Sequence, residues 1–407
     1  MARENTVPMP RQQAAPRKKQ NKPQGLRKWF NLSSGFDMQF FVLLMIILII
    51  GLATLYSASH VYAFNYNDGD SFFYIRKQLL WAAIGLVGML VVSTIDYHIL
   101  HRFAWILWMV SIIFLLLTLV MPSQTGIRRW LHLGPLSFQP SEIAKFALVL
   151  LFAHLISLNH KRMKNFSTGF LPLLILLGIT CGLVVIEPHL SGTMLIVLLG
   201  AAMMYVGGVR TGYLLGVGAA GVAVVLVMVM VLGYEKDRID VWLHPLEAFA
   251  NEIVFEDGVS GRDHAWQTVQ SLYAIGSGGL LGQGPGNSRQ KHLFLPEPQN
   301  DFIFSIFCEE MGLIGAIIVL FLFAWLVWRG MRIALKAPDK FGCMLALGLT
   351  LQIGIQVAIN VAVVANLMPN TGISLPFFSY GGTSILMLML QMGVVLSISR
   401  QSRMEKI

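Results

Sequence analysis

The feature that most constrains this chain is a series of apolar blocks. Ten of them occupy residues 40–57, 79–95, 103–121, 143–158, 170–186, 190–206, 213–232, 302–328, 341–364 and 377–398. Each approaches or exceeds the roughly 17–25 residues that cross about 30 Å of hydrocarbon as an α-helix. In lipid the backbone must bond to itself, so such blocks read as helices. With 55% hydrophobic and only 13% charged residues, the chain falls far below the charged fraction of a soluble protein. The expected fold class is an all-α polytopic membrane protein of about ten transmembrane helices.

Charge placement orients the bundle. Of the basic residues behind the net charge of +9, eight (Arg3, Arg11, Arg17, Lys18, Lys19, Lys22, Arg27 and Lys28) precede the first block. Residues 1–35, rich in Pro and Gln, are expected to be a disordered cytoplasmic tail. With that tail inside, alternate connections carry Arg102, Lys161, Arg162, Lys164, Arg210, Arg329, Arg332, Lys336 and Lys340. The opposite loops hold Arg76, Lys77, Arg128 and Arg129. This is a positive-inside distribution, and it argues against a nucleic-acid partner. Both termini are then expected in the cytoplasm, with 36–400 forming the membrane domain and 401–407 a second short tail. Cys181, Cys308 and Cys343 lie in or beside apolar blocks, which disfavours disulfides.

One outside connection, 233–300, lies between the seventh and eighth blocks and far exceeds ordinary loop length. Its aromatic residues and an amphipathic stretch suggest a structured cap on the outer surface. Its glycine cluster "GSGGLLGQGPGN" lacks the Gly-Lys-Ser/Thr ending of a nucleotide loop. It reads as a set of tight turns. His189, His264 and His292 sit on separate loops without the spacing of a zinc site.

Charged residues at the edge of hydrocarbon are costly and therefore candidates for function. In "QTGIRRWLHLGPLSFQPSEIAKFALV", Ser141 suits a helix N-cap. Glu142 and Lys145, three apart, share a helix face. They could neutralise each other, or Lys145 with Arg129 could receive an anionic phosphate group; the two readings are compatible. In "LPEPQNDFIFSIFCEEMG", Asp301 stands at the head of the eighth block. Either Asp301 or Asn300 caps the helix, or Asp301 is a lone reactive carboxylate at the water–membrane boundary. Glu309 and Glu310 lie one to two turns deeper and off the Asp301 face, so a two-carboxylate glycosidase arrangement is not indicated. They are expected to meet other helices. In "LMPNTGISLPFFSYGGTS", Ser379, Tyr380, Thr383 and Ser384 could bond a polar ligand or satisfy carbonyls freed around Pro376.

Three stretches, "GIRRWLHLGPLSFQPSEIAK", "LPEPQNDFIFSIFCEEMG" and "NTGISLPFFSYGGTS", together with "YSAS" ending the first block, resemble the SEDS proteins, the FtsW/RodA/SpoVE family of shape, elongation, division and sporulation. The forms "GQGPGNSRQKHLFLPEPQNDFIF" and "NTGISLPF" look more like FtsW and SpoVE than RodA. The resemblance covers nearly all of the chain after the basic tail. It implies a peptidoglycan glycosyltransferase that polymerises lipid II, an undecaprenyl-pyrophosphate disaccharide-pentapeptide, by inverting transfer on the outer face of the bacterial cytoplasmic membrane. It implies a class B penicillin-binding protein and other divisome proteins as partners, in division or sporulation. The family's essential aspartate maps onto Asp301, its pair at the fourth span onto Lys145 and Glu142, and its loop arginine onto Arg129. In the long loop, Arg238, Gln267, Gln270 and Ser271 match recurring family positions. With Ser379, these give the expected substrate-binding set of Arg129, Glu142, Lys145, Arg238, Gln270, Ser271 and Ser379, and Asp301 as the catalytic residue. One departure stands out: "EPHLSGT" carries His189 where many members have an aspartate.

A sugar hydroxyl is a poor nucleophile, and a general base speeds its attack by about 10²–10⁴-fold. Asp301 is the expected base, with Arg129 and Lys145 near the leaving pyrophosphate. A divalent cation, Mg or Mn, could share that load, although the sequence carries no complete ligand set and no cofactor is required by it. The alternative class is a lipid II flippase. Transporters place charged sites near the midplane and often show inverted repeats. Here the charges lie toward the outer boundary and no repeat is visible.

Overall fold

The computed structural model of the chain describes residues 35–120, 130–133, 136–187, 190–232, 236–250 and 261–404. Arg128, Arg129 and His189, and both expected tails apart from residues 35 and 401–404, lie outside the described residues. The elements run α1 (Met38–Tyr66), α2 (Phe73–Thr94), α3 (His98–Val120), a hairpin of β1 (Leu131–Leu133) and β2 (Leu136–Phe138), α4 (Pro140–Asn159), α5 (Leu171–Ile186), α6 (Leu190–Val206) and α7 (Thr211–Leu232). Three helices follow within the long connection: α8 (Lys236–Leu243), α9 (Pro245–Ala250) and α10 (Gly261–Gly278). The bundle closes with α11 (Ile303–Leu335), α12 (Lys340–Val364) and α13 (Gly382–Met404).

Among the described residues, eight helices are long and apolar enough to cross a membrane, and two shorter apolar helices, Ser191–Val206 and Thr211–Ala223, stand at the sixth and seventh blocks. The chain is a multi-pass, all-α membrane protein. The antiparallel hairpin, Leu131 paired with Phe138, is a local addition in what the sequence reads as plain loop. Lipid-facing residues such as Ile113, Ile179 and Phe321 stay exposed, while α4, α12 and α13 form the buried centre.

At the end of the bundle opposite Asp301, Asp37 caps α1 by accepting from Phe40 N at 3.0 Å. Arg329 of α11 grips the same carboxylate through Nε at 3.0 Å and Nη2 at 2.7 Å. Ser399 of α13 receives Asp37 N. Asp37 therefore ties three helices together, which accounts for a charge at the edge of the first block. On α4 the capping position falls to Gln139, with Pro140 at the first helical residue, where its missing N–H costs nothing. Ser141, expected as the cap, is the second residue of the helix and is buried.

α11 is broken at Gly312 (φ 66°, ψ −171°). The break frees backbone groups that hydrocarbon would leave unsatisfied. The glycine cluster fills the gap. Gln283 N and Gly284 N donate to Glu309 O and Glu310 O, both at 3.0 Å. Leu313 N and Ile314 N donate to Gly279 O and Leu280 O at 2.9 and 3.1 Å. A Cβ on Gly312 would stand 2.3 Å from Gly282 N, and its φ lies in the left-handed region that favours glycine. Gly312→Ala is therefore expected to cost on the order of 1–3 kcal/mol, read as a lower thermal midpoint of the detergent-purified chain; an unchanged midpoint would contradict the splice.

Glu309 and Glu310 complete this junction. Glu309 accepts from Arg289 N at 3.0 Å, Gln290 N at 3.3 Å and the hydroxyls of Ser277 and Ser288. Glu310 pairs with the fully buried Lys291 at 2.9 Å and accepts from Ser57 of α1 at 2.6 Å. Lys291 also donates to Gly286 O at 2.6 Å. Glu310 meets another helix as expected from the sequence, but the principal partner of both carboxylates is the segment 277–291.

Candidate functional site

Asp301 ends the turn that follows Pro298. The helix behind it starts at Ile303, with Phe302 in the capping position, and Asn300 turns its side chain back to Glu297 at 2.9 Å. A cap formed by the Asn300 side chain is thus not what this turn builds. Asp301 instead lines a cavity of about 320 Å³. One wall is the α12–α13 connection at Asn366, Asn370, Thr371 and Gly372. The other is α8 and α10, which contribute Arg238, Val241, Trp242, Gln267 and Thr268.

The long connection reaches this site because its amphipathic helices make a small core of their own. Val241, Ala248, Ala265 and Val269 are buried together, with Phe249 against them. Two latches seat this cap on the bundle. Trp242 Nε1 donates to Asn366 O at 3.1 Å while Asn366 Nδ2 donates to Trp242 O at 3.2 Å. Asn370 Nδ2 donates to Gln267 Oε1 at 3.1 Å. Gly372 (φ 67°) passes so close to the reactive candidate that a Cβ there would lie 3.0 Å from Asp301 Oδ2.

Of the expected site residues, Asp301 and Arg238 meet at the cavity, and Gln267 with them. Three others are buried and are not among its described lining residues. Ser271 is fully buried, donating to Val364 O at 2.8 Å and bonding Ser305 Oγ at 2.7 Å, and Gln270 beside it is buried too. Ser379 donates to Asn300 O at 2.7 Å and accepts from Leu375 N at 2.8 Å. The Ser379 hydroxyl thus bonds backbone at Leu375, beside Pro376, and at Asn300. Gln270, Ser271 and Ser379 are not among the described residues that line the cavity.

Glu142 and Lys145 pair on α4 at 2.6 Å, with side chains 8% and 4% exposed. They do not line this cavity. Lys145 uses one of its three donors on Glu142 Oε1, and Glu142 Oε2 is buried without a partner. A buried pair with unused capacity is compatible with both readings of the sequence, mutual neutralisation and reserve charge for an anion. Among the described residues, no group of three or more His, Cys, Asp or Glu side chains could hold a metal ion. Asp301 is the one carboxylate among the described cavity-lining residues.

The sequence did not single out Trp242, Asn366, Asn370, Thr371 or Gly372 as part of the site. A signal was present: "NLMPNTG" gathers Asn, Pro and Gly where the ninth block stops, and Asn366 indeed takes a positive φ of 54°.

Residues 37–404 match the model of the FtsW/RodA/SpoVE cell cycle proteins. The chain belongs to that family. Stage V sporulation protein E of Bacillus subtilis (strain 168) is 39% identical over 371 residues, covering 90% of this chain and 98% of the relative. A probable peptidoglycan glycosyltransferase FtsW of Trichlorobacter lovleyi is 37% identical over 378 residues, covering 92% and 95%. Among solved structures, a chain from work on structural coordination of polymerization and crosslinking by a peptidoglycan synthase complex superposes with a TM-score of 0.73 at 25% identity, covering 91% of this chain and 99% of that one. The rod shape determining protein RodA of Thermus thermophilus gives 0.63 at 25% identity, with 91% and 97% covered. The FtsW/RodA/SpoVE match spans residues 37–404, so the cavity and the Glu309–Glu310 junction lie within the matched region.

Proposed function

We propose that this protein polymerises lipid II into glycan strands on the outer face of the bacterial cytoplasmic membrane, in cell division or sporulation. The observation that carries the reading is the cavity with Asp301 as the one carboxylate, and Arg238 as the one cation, among its described lining residues. Relatives named as peptidoglycan glycosyltransferases over nearly the full chain support the reaction class. The positive-inside pattern supports cytoplasmic termini and an outward-facing cavity.

Asp301 accepts the proton of the acceptor sugar hydroxyl as its oxygen attacks the anomeric carbon of the donor. The bond from that carbon to the pyrophosphate oxygen breaks, and the lipid pyrophosphate leaves with the electron pair. One carboxylate suffices for such a single displacement, which inverts the anomeric centre. A covalent glycosyl intermediate would need a second. Arg238 offers a bidentate partner to the phosphate oxygens. Arg129 and Lys145 add positive charge along the path of the leaving group. A divalent cation, Mg or Mn, would be held by Asp301, the one carboxylate among the described lining residues, and would supply positive charge to the departing pyrophosphate.

The class B penicillin-binding protein is the proposed partner, supported by the likeness to a chain of a peptidoglycan synthase complex. The test is a reconstitution in lipid II vesicles, with and without that partner, comparing wild type with Asp301→Ala. Polymer made by wild type and lost in the variant supports the assignment. Translocation of lipid II without polymer would replace it by transport. Polymer unaffected by the substitution would leave a scaffold role.

A further inference from the structure

α12 is an apolar helix interrupted at a regular interval. Gln352, Gln356 and Asn360 recur every four residues, and all three are buried. That spacing keeps them on one face, about 6 Å apart along the axis. A buried amide in an apolar bundle is costly unless it is hydrogen-bonded. Two of the three spend their NH₂ groups on the connection between α12 and α13. Gln356 Nε2 donates to Ser374 O at 2.9 Å and to Ser374 Oγ at 3.3 Å. Asn360 Nδ2 donates to Ile373 O at 2.6 Å and to Asp301 O at 2.8 Å.

Only the second of these forks joins two separate segments. Asp301 precedes the first residue of α11, and Ser305 N turns to Phe302 O rather than further back. The Asp301 carbonyl receives the Asn360 amide in its place. The same amide holds Ile373, the neighbour of Gly372, whose backbone faces Asp301 Oδ2. Asn360 is not among the described lining residues, so it acts on the site through the two backbone carbonyls it holds, those of Asp301 and Ile373.

We propose that Asn360 is a positioning residue for the reaction: its forked bond to Asp301 O and Ile373 O sets the Asp301 carboxylate against the Gly372 wall. This rests on the assignment of Asp301 as the general base. A shift of about 1 Å in a reacting group lowers turnover on the order of 100-fold. Substrate affinity is untouched, because the fork makes no contact with the cavity.

The test uses the purified full-length protein with its penicillin-binding protein partner and lipid II as substrate. Asn360→Leu is expected to lower kcat about 100-fold with KM within about threefold of wild type. Gln356→Leu is the control: it breaks an equally buried anchor on the same connection that does not reach Asp301. It is expected to lower the thermal midpoint while keeping kcat within about threefold. Asn360→Gln keeps the donor on a longer stem and is expected about tenfold down in kcat at unchanged KM. It carries the test if the leucine variant fails to purify, and wild-type kcat in it then overturns the proposal. Equal losses of kcat in Asn360→Leu and Gln356→Leu, or a change in KM alone, would also overturn it. Asp301→Ala in the same assay separates the two layers. Activity retained there removes the base and this inference together. Activity lost there, with Asn360→Leu at wild-type kcat, removes the inference alone.

Discussion

Asp301→Asn is expected to reduce lipid II polymerisation by about 10²–10⁴-fold, the usual worth of a positioned base. The substitution keeps size, shape and most hydrogen-bonding capacity, so the fold has no reason to respond. What it removes is the ability to hold a proton taken from the acceptor hydroxyl. Among the described residues, no other carboxylate lines the cavity to take over. On the proposed mechanism the loss falls on kcat rather than on binding. Gel separation of glycan product from labelled lipid II reads the effect. Product within about threefold of wild type would remove Asp301 from proton transfer.

The second large effect is on stability. Lys291→Met keeps the aliphatic stem of a fully buried side chain and removes its charge. Glu310, with a side chain only 4% exposed, is left with Ser57 as its hydrogen-bonding partner. Breaking one half of a buried ion pair costs about 3–5 kcal/mol, because the remaining charge stays desolvated. The expected result is a large drop in the denaturation midpoint in detergent. Lys291→Met combined with Glu310→Met is expected to recover more than half of it, since an apolar pair of similar volume carries no stranded charge. A single-variant loss below about 1 kcal/mol, the range of a surface pair, would mean that water reaches Glu310 after all.

The same pair shows what a linear reading can and cannot reach. Two acidic residues at the mouth of an apolar block announce that something must neutralise them. Nothing in the spacing says that the partners are Lys291 and a row of backbone N–H groups some twenty residues upstream. For Glu142 and Lys145 the answer was local: three residues apart on a helix, they meet at 2.6 Å. For Ser141 the local rule failed. Pro140 opens α4 itself, and the serine is drawn inside the bundle.

At the cavity, Asp301 and Arg238 were legible as individual residues, by cost of charge and by resemblance. Their meeting was not, because it depends on α8 and α10 folding back over the α12–α13 connection. The serines show a contact that the sequence did not encode. Ser271 was marked by resemblance and Ser379 as a hydroxyl beside Pro376, and each donates to the backbone of a distant segment, at Val364 and Asn300. A hydroxyl near a broken helix end has carbonyls within reach, and in a membrane those carbonyls must be satisfied first.

The sequence by itself determined the helical blocks and the carboxylate at the head of the eighth. Hydrocarbon permits few backbone solutions, and each block is long enough to report its own. The tertiary structure alone decided that α11 breaks at Gly312 and is mended by glycines 30 residues away. It alone decided that Asn360 binds the Asp301 peptide, and that the cap closes over the cavity. These are pairings between distant segments, fixed by which buried polar group can reach which other, and no local period encodes them.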